Sequence, residues 1–329
     1  MDSAQKFLST IEKFSLLRKK EKLLVGVSGG PDSIFLIEQL RRIQKPLKLT
    51  LICAHLNHAL RAEADQDARF VEDYCVRHRL YCVSEKRELT PERKKDSLEQ
   101  AARRMRYDFF RTVSRRMKLK KIVLAHHRDD LVETVVMRLI RGAGLKGLRG
   151  FLPRSRYKNL TVIRPLIEFQ KREILDWLAG EGVPYCVDRT NFEDMFTRNK
   201  IRNRVLPLLE EMNPNFSEVM SNQAIHLGFD YDYIRAQTER AYQEVKRGET
   251  RREVRLGLGP LKKLHPSLFA HVLRLGIEDI KGDTRRIENR HLEEMKDLIL
   301  RRSQGSVVHL PFLEVRKSGR LLIIRNLIL

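Results

Sequence analysis

The chain has 329 residues, 42% of them hydrophobic, with 65 Lys and Arg against 43 Asp and Glu and a formal net charge of +22. That length supports two domains and a sizeable buried core. The charge exceeds what paired ion networks absorb and points to a polyanion, RNA or DNA, bound with counterion release.

No run approaches the unbroken apolar length of a spanning helix, and Met1 to Lys20 lacks the long apolar core of a secretory signal. A cytoplasmic protein with no membrane partner is expected. Cys53, Cys75, Cys82 and Cys186 are scattered and include no Cys-x-x-Cys pair, which argues against a zinc ribbon, an iron–sulfur cluster or a disulfide framework. All four are expected to pack.

The first apolar run, Leu23 to Val27, predicts a strand, and Ser33 to Ile43 predicts an amphipathic helix. Between them lies Ser28-Gly29-Gly30-Pro31-Asp32-Ser33. A tight glycine loop entering a helix presents backbone N–H groups to phosphate oxygens. A Walker loop would follow its last glycine with Lys-Ser or Lys-Thr, and Asp32-Ser33 stands here instead. A carboxylate beside phosphates calls for a bridging cation, so Asp32 reads as a Mg²⁺ contact. An ordinary turn with Asp32 or Ser33 as a helix cap remains the alternative.

Further strands are predicted at Leu47 to Ala54, Tyr81 to Val83 and Ile122 to Ala125, with helices at Ala64 to His78, Ser97 to Lys118 and Asp130 to Arg141. This β-α-β-α order implies a parallel sheet with helices on both faces, and such sheets bind ligands at the carboxyl ends of their strands. The segments just after the strands are therefore the candidates for chemistry. After the second strand comes His55-Leu56-Asn57-His58-Ala59-Leu60-Arg61. After the fourth comes His126-His127-Arg128-Asp129-Asp130-Leu131-Val132-Glu133-Thr134.

A helix starting near Asp129 puts Asp130 and Glu133 on one face with His126 beside them. A carboxylate pair suits a cationic substrate or a metal ion and can accept a proton, although Asp129 and Asp130 also read as N-terminal capping. The spacing is not that of His-Glu-x-x-His, so a zinc protease is discounted. On the basic helix Glu99 to Tyr107, Arg103 and Arg106 lie one turn apart, where an arginine can stabilise a transferring phosphoryl group or simply be solvated. Asp188-Arg189-Thr190-Asn191 and Arg198-Asn199-Lys200-Ile201-Arg202-Asn203-Arg204 alternate basic and amide side chains, which suits phosphate and base-edge contacts as well as a wet helix face.

The pattern changes between Pro207 and Pro214, with a break at Asn213-Pro214-Asn215. Residues 1–212 are thus expected to form the catalytic domain, and 213–329 a smaller, mainly helical α+β domain. Two closing runs, Ser306 to Val315 and Arg320 to Ile324, predict a hairpin around Lys317-Ser318-Gly319.

With these residues in view the chain resembles the tRNA(Ile)-lysidine synthetases of the PP-loop ATP pyrophosphatase superfamily. Ser28 to Ser33 fits Ser-Gly-Gly-x-Asp-Ser, His55 to Arg61 fits His-x-Asn-His-x-Leu-Arg, and Ala102-Arg103 with Arg106-Tyr107 fits Ala-Arg-x-x-Arg-Tyr. Leu124 to Thr134 fits the His-x-x-Asp-Asp-x-x-Glu-Thr segment, and Arg141 to Gly144, Arg164-Pro165-Leu166 and Arg198 to Arg202 also look like that family. Longer members carry a further C-terminal domain that helps hold tRNA, and this chain is expected to stop after the first.

The resemblance implies a parallel-sheet PP-loop domain of the adenine nucleotide alpha hydrolase type. It implies that ATP adenylates the C2 oxygen of the cytidine at the first anticodon position of tRNA(Ile) with a CAU anticodon, after which L-lysine displaces AMP to give lysidine. Ser28, Gly29, Gly30, Pro31, Asp32 and Ser33 would hold the ATP phosphates, with Mg²⁺ on Asp32. Arg106 and His126 would stabilise charge at the adenylate, and Asp130 and Glu133 would bind the lysine ammonium groups. His55, Asn57, His58, Arg61, Arg198, Asn199 and Arg202 are the candidates for substrate and tRNA contacts. A tRNA cytidine thiolase and a non-catalytic RNA-binding protein are the alternatives, and a homodimer is one option for the assembly.

Overall fold

The computed structural model describes residues 2–59, 63–88, 98–187 and 197–327, which form two compact units, Met1–Leu227 and Gly228–Leu329. In the first unit, after α1 (Ser3–Lys13), the chain alternates β1 (Lys22–Gly26), α2 (Pro31–Leu47), β2 (Thr50–Asn57), α3 (Ala64–Arg77), β3 (Tyr81–Lys86), α4 (Leu98–Arg116), β4 (Lys121–Val123) and α5 (Arg128–Ile140). It continues through α6 (Leu145–Leu148), β5 (Arg154–Tyr157), β6 (Leu160–Ile163), α7 (Lys171–Gly180), α8 (Thr197–Lys200), one π-helical stretch (Ile201–Val205) and α9 (Leu206–Met212).

The sheet order is β3-β2-β1-β4-β6-β5, with β5 antiparallel at one edge and the other five strands parallel. Leu23, Leu24 and Val25 of β1 are fully buried because helices cover both faces, as a parallel sheet requires. Side chains of α2 and α7 pack on one face, with Phe35, Phe169 and Trp177 meeting edge to face. Phe109, Phe110 and Val113 of α4 pack on the other. The strand order reverses direction at β1, between β2 and β4, and the carboxyl ends of strands at such a point are where open parallel sheets bind their ligands.

Three local expectations change. The strand expected from Leu47 starts at Thr50, because α2 continues through Pro46 and closes on Lys48 in the left-handed conformation. The β5–β6 hairpin has no signal in the sequence, because its strands are only four residues each, too short for a clear period. The run from Ser306 to Val315 is two strands, β9 (Val307–Leu310) and β10 (Leu313–Ser318), separated by Pro311 and Phe312, the latter at a φ of 70°. The hairpin of β10 with β11 (Leu321–Asn326) forms around Gly319 as expected.

α10 (Phe216–Val245) starts in the first unit and ends in the second. The second unit adds β7 (Lys246–Glu249), β8 (Glu253–Gly257), α11 (Leu258–Lys262), α12 (Pro266–Lys281) and α13 (Asn289–Leu300). Its antiparallel sheet has the order β7-β8-β11-β10-β9. Phe269, Val272, Leu273, Ile277 and Ile280 of α12 recur at helical spacing and bury with Leu256 and Ile324 of the sheet. Gly276 allows that approach, since a Cβ there would stand 3.2 Å from Ile324 Cδ1. Among the described residues no helix is long and apolar enough to cross a membrane.

Candidate active site

The glycine loop leaves β1 at Gly26, where a Cβ would collide with Leu124 and Phe110 at 2.8 Å. Gly29 has a φ of +87°, a conformation that L side chains rarely adopt, and its carbonyl accepts from the Cys186 N–H at 2.9 Å. Gly30 caps α2 and Pro31 opens its first turn, where a missing N–H costs no helical bond. The loop is tied to itself. The Ser33 hydroxyl donates to Gly30 O at 2.9 Å and accepts from the Ser28 N–H at 3.2 Å, while the Gly30 N–H donates to Ser28 Oγ at 3.3 Å. These bonds hold the backbone at the positive end of α2, ready for an anion.

Asp32 projects from that first turn and is 29% exposed. The Lys171 ammonium donates to its Oδ1 at 2.5 Å, and His127 Nε2 lies 3.8 Å from its Oδ2. Lys171 has no place in the sequence reading. It opens α7, 139 positions from Asp32, and its backbone N–H also donates to Asp129 Oδ2 at 2.8 Å. Periodicity carries no signal for a partner so far along the chain.

At the end of β2, His55 is buried and its Nδ1 lies 3.0 Å from Val27 O, while its Nε2 has no hydrogen-bond partner. Burial holds its pKa below the usual histidine range. Asn57 is buried and turned onto the start of α3: its amide donates to Ala64 O at 3.1 Å and Asp65 Oδ1 at 2.7 Å, and its oxygen accepts from the Ala59 N–H at 2.8 Å. Burial, then the Arg106 charge, pushes His58 down to about 4. Arg106, exposed on α4, therefore belongs to this cluster despite its distance in sequence. Arg61 lies outside the described residues, as does the segment 188–196.

At the end of β4, His126 packs against Phe151 with ring centroids 5.1 Å apart, and its Nδ1 has no partner. Burial, followed by the Arg164 charge, pushes its pKa down to about 3. The imidazole is thus neutral at neutral pH. Arg164, which the sequence reading gave no role, is buried, with Nη1 donating to Leu152 O at 2.7 Å and Ser155 Oγ at 2.9 Å.

Asp130 takes the His127 N–H at 3.1 Å as part of a capping box, so the capping reading of this residue holds alongside any other. Burial works to raise its pKa, but His127 and Arg198 outweigh that and hold the carboxyl below the usual carboxylate range. Burial raises the neighbouring Asp129. Glu133 is 1% exposed, and its two oxygens receive Arg202 Nε at 2.5 Å and Arg198 Nε at 2.7 Å. Arg198 also reaches Asp130 Oδ1 at 2.9 Å. The basic segment therefore turns these two arginines inward onto the α5 carboxylates, and Asn199 beside them is buried.

The carboxyl ends of β1, β2 and β4 thus carry the loop, His55, His58, His126 and His127; His127 links Asp32 to the α5 carboxylates that hold Arg198 and Arg202, and the Arg106 charge acts on His58 and His126 from α4. Among the described residues no group of three or more His, Cys, Asp or Glu could hold a metal ion by itself. Asp32, a single partly exposed carboxylate, fits a Mg²⁺ ion that takes most of its ligands from phosphates and water.

A parallel sheet with such a loop at its reversal point defines a PP-loop protein, and residues 1–209 match the family model described as "PP-loop domain". The fold is shared with the U34-tRNA thiolase NcsA from Methanococcus maripaludis, at 17% identity and a TM-score of 0.59 over 68% of this chain and 77% of that one. The tRNA(Ile)-lysidine synthase of Caldanaerobacter subterraneus subsp. tengcongensis is 35% identical over 98% of this chain and 69% of its own length. That of Clostridioides difficile is 34% identical over 89% of this chain and 64% of its own. The chain belongs to the tRNA(Ile)-lysidine synthase family. It spans about two thirds of the length of these curated relatives.

Proposed function

We propose that the chain ligates L-lysine to C2 of the cytidine at the first anticodon position of tRNA(Ile) with a CAU anticodon, in the cytoplasm. Lysidine pairs with A rather than G, which converts a methionine codon reader into an isoleucine one. The observation that carries this reading is the joining, through His127, 3.8 Å from Asp32 and 3.5 Å from Asp130, of an anion-binding loop without an internal lysine to a pair of carboxylates suited to an ammonium ion.

In the first step the loop Ser28–Ser33 holds the ATP phosphates while the C2 oxygen attacks the α-phosphorus and pyrophosphate leaves. Mg²⁺, held by Asp32, would neutralise phosphate charge. Arg106 supplies a fixed positive charge at the adenylate, and His126, neutral at working pH, offers an imidazole nitrogen. In the second step the lysine ε-amine attacks C2 and AMP departs. Free lysine titrates near pH 10.4, so the amine must first give up a proton. Asp130, held below the usual carboxylate range, suits anchoring an ammonium group, which leaves Glu133 to accept the proton that the ε-amine gives up. Lysine entering here meets carboxylates already holding Arg198 and Arg202, and it displaces or shares them.

The net charge of +22 fits a tRNA substrate. The test incubates the full chain with ATP, labelled lysine and a panel of tRNA transcripts. Label entering only the CAU transcript, with release of AMP and pyrophosphate, is expected. Salt-sensitive tRNA binding without AMP production would instead mark a non-catalytic RNA-binding protein.

A further inference from the structure

Arg164 follows β6 directly and is 3% exposed, yet among the described residues no carboxylate pairs with it. Its contacts are neutral: Nη1 donates to Leu152 O and Ser155 Oγ, the guanidinium also bonds the Tyr107 side chain, and its Cζ stands 5.1 Å from the centre of the Phe151 ring. A buried guanidinium without a counter-ion works against folding, so its charge points to a task at the site. The neighbour it acts on is His126. The same Phe151 ring packs against the imidazole with centroids 5.1 Å apart, and after burial the Arg164 charge is the strongest influence on that ring. Asp130 of α5 and Arg103 and Arg106 of α4 are the other charges that face it. Arg164 Nε and His126 Nδ1 are both buried and without a hydrogen-bond partner. A proton on Nδ1 would be a buried N–H lacking an acceptor beside a cation, whereas a lone pair there is drawn toward the guanidinium. The neutral imidazole then carries its proton on Nε2.

We propose that Arg164 is a positioning residue that sets the tautomer of His126: held against Phe151, it keeps Nδ1 as a buried lone pair and leaves Nε2–H to face the substrate. His126 then donates a hydrogen bond to an oxygen that gains negative charge as the α-phosphorus is attacked or as AMP departs, and it takes no proton from lysine. Arg164 acts through the imidazole alone. The proposal rests on the adenylation step of the function above and specifies which ring nitrogen acts, and as a donor.

Nitrogen NMR of the full chain, labelled at its histidine ring nitrogens, tests this without turnover, and His126→Asn assigns the signal. The unaltered protein is expected to carry the His126 proton on Nε2 alone at neutral pH; a proton on Nδ1 overturns the proposal with no substitution at position 164. In Arg164→Met the two tautomers are expected to mix, His126 to titrate at higher pH, and kcat for AMP formation to fall at least about tenfold with the KM for ATP little changed. Arg164→Gln, which keeps a donor for Leu152 O, is expected to give the same mixing and covers the case in which Arg164→Met does not fold. Arg164→Lys retains the charge and is expected to hold the tautomer and recover part of the rate. A fall in rate with the tautomer and titration of His126 unmoved would make Arg164 only a brace for the Leu152 turn and overturns the proposal. Unaltered protein with the Nε2 tautomer that forms neither AMP nor lysidine would keep Arg164 in this role toward the ring and bring down the lysidine reading instead.

Discussion

The Arg198 guanidinium is bonded to the buried Glu133 carboxylate at 2.7 Å across 65 positions of sequence, and the same carboxylate also receives Arg202. Two cations from one short helical segment thus occupy the carboxylate expected to hold lysine. The acidic residue of α5 and the basic segment that follows are one electrostatic unit.

Glu133→Gln removes a charge that is 1% exposed and leaves Arg198 and Arg202 with Asp130 as their carboxylate partner, at 2.9 and 4.0 Å. Because those arginines are 30% and 38% exposed, the stability loss is expected at about 1–3 kcal/mol, below that of a fully buried pair. Urea denaturation measures it. The KM for lysine rises in the same variant if Glu133 binds the substrate, and an unchanged KM would restrict the residue to holding Arg198 and Arg202.

Gly29→Ala places a Cβ on a residue at φ +87°, 3.2 Å from Val71 Cγ2 and 3.3 Å from Cys186 Sγ. We expect a loss of about 1–2 kcal/mol from the strained backbone, together with weaker ATP binding as the loop shifts. Retained melting temperature and ATP affinity would show that the loop tolerates a side chain.

Acid should destabilise the fold through His126. Its pKa falls from an unfolded value near 6.5 to about 3, so between these limits the unfolded chain binds the extra proton. Its contribution is fully present above pH 6.5 and is lost as the pH falls toward 3. The slope this group adds in that window is no more than about 1.4 kcal/mol per pH unit. His126→Asn is expected to flatten the stability profile between pH 6 and about 4, and an identical profile would show that the imidazole is not held neutral.

Binding of tRNA should fall steeply with salt. With 65 basic residues in the chain, a footprint of several phosphates implies a loss of about three orders of magnitude or more between 50 and 200 mM salt. Filter binding across that range checks it, and a flat response would rule out backbone contacts as the main source of affinity.

The sequence by itself determined the parallel sheet, the glycine loop between β1 and α2, and the polar segments at the ends of β2 and β4, because each is written in contiguous residues with a clear period or turn signal. It also carried the family motifs, whose order along the chain survives without any knowledge of contacts. Only tertiary structure decided which charges meet. Lys171 reaches Asp32 over 139 positions, and Arg106 acts from α4 on His58 and His126, which follow β2 and β4. Asn57, a substrate-contact candidate in the sequence, gives its amide to the first turn of α3. Strand order sets these pairings: β1 lies between β2 and β4, so the ends of distant segments converge at one end of the sheet, and electrostatic partners depend on distance in space, which local periodicity does not encode.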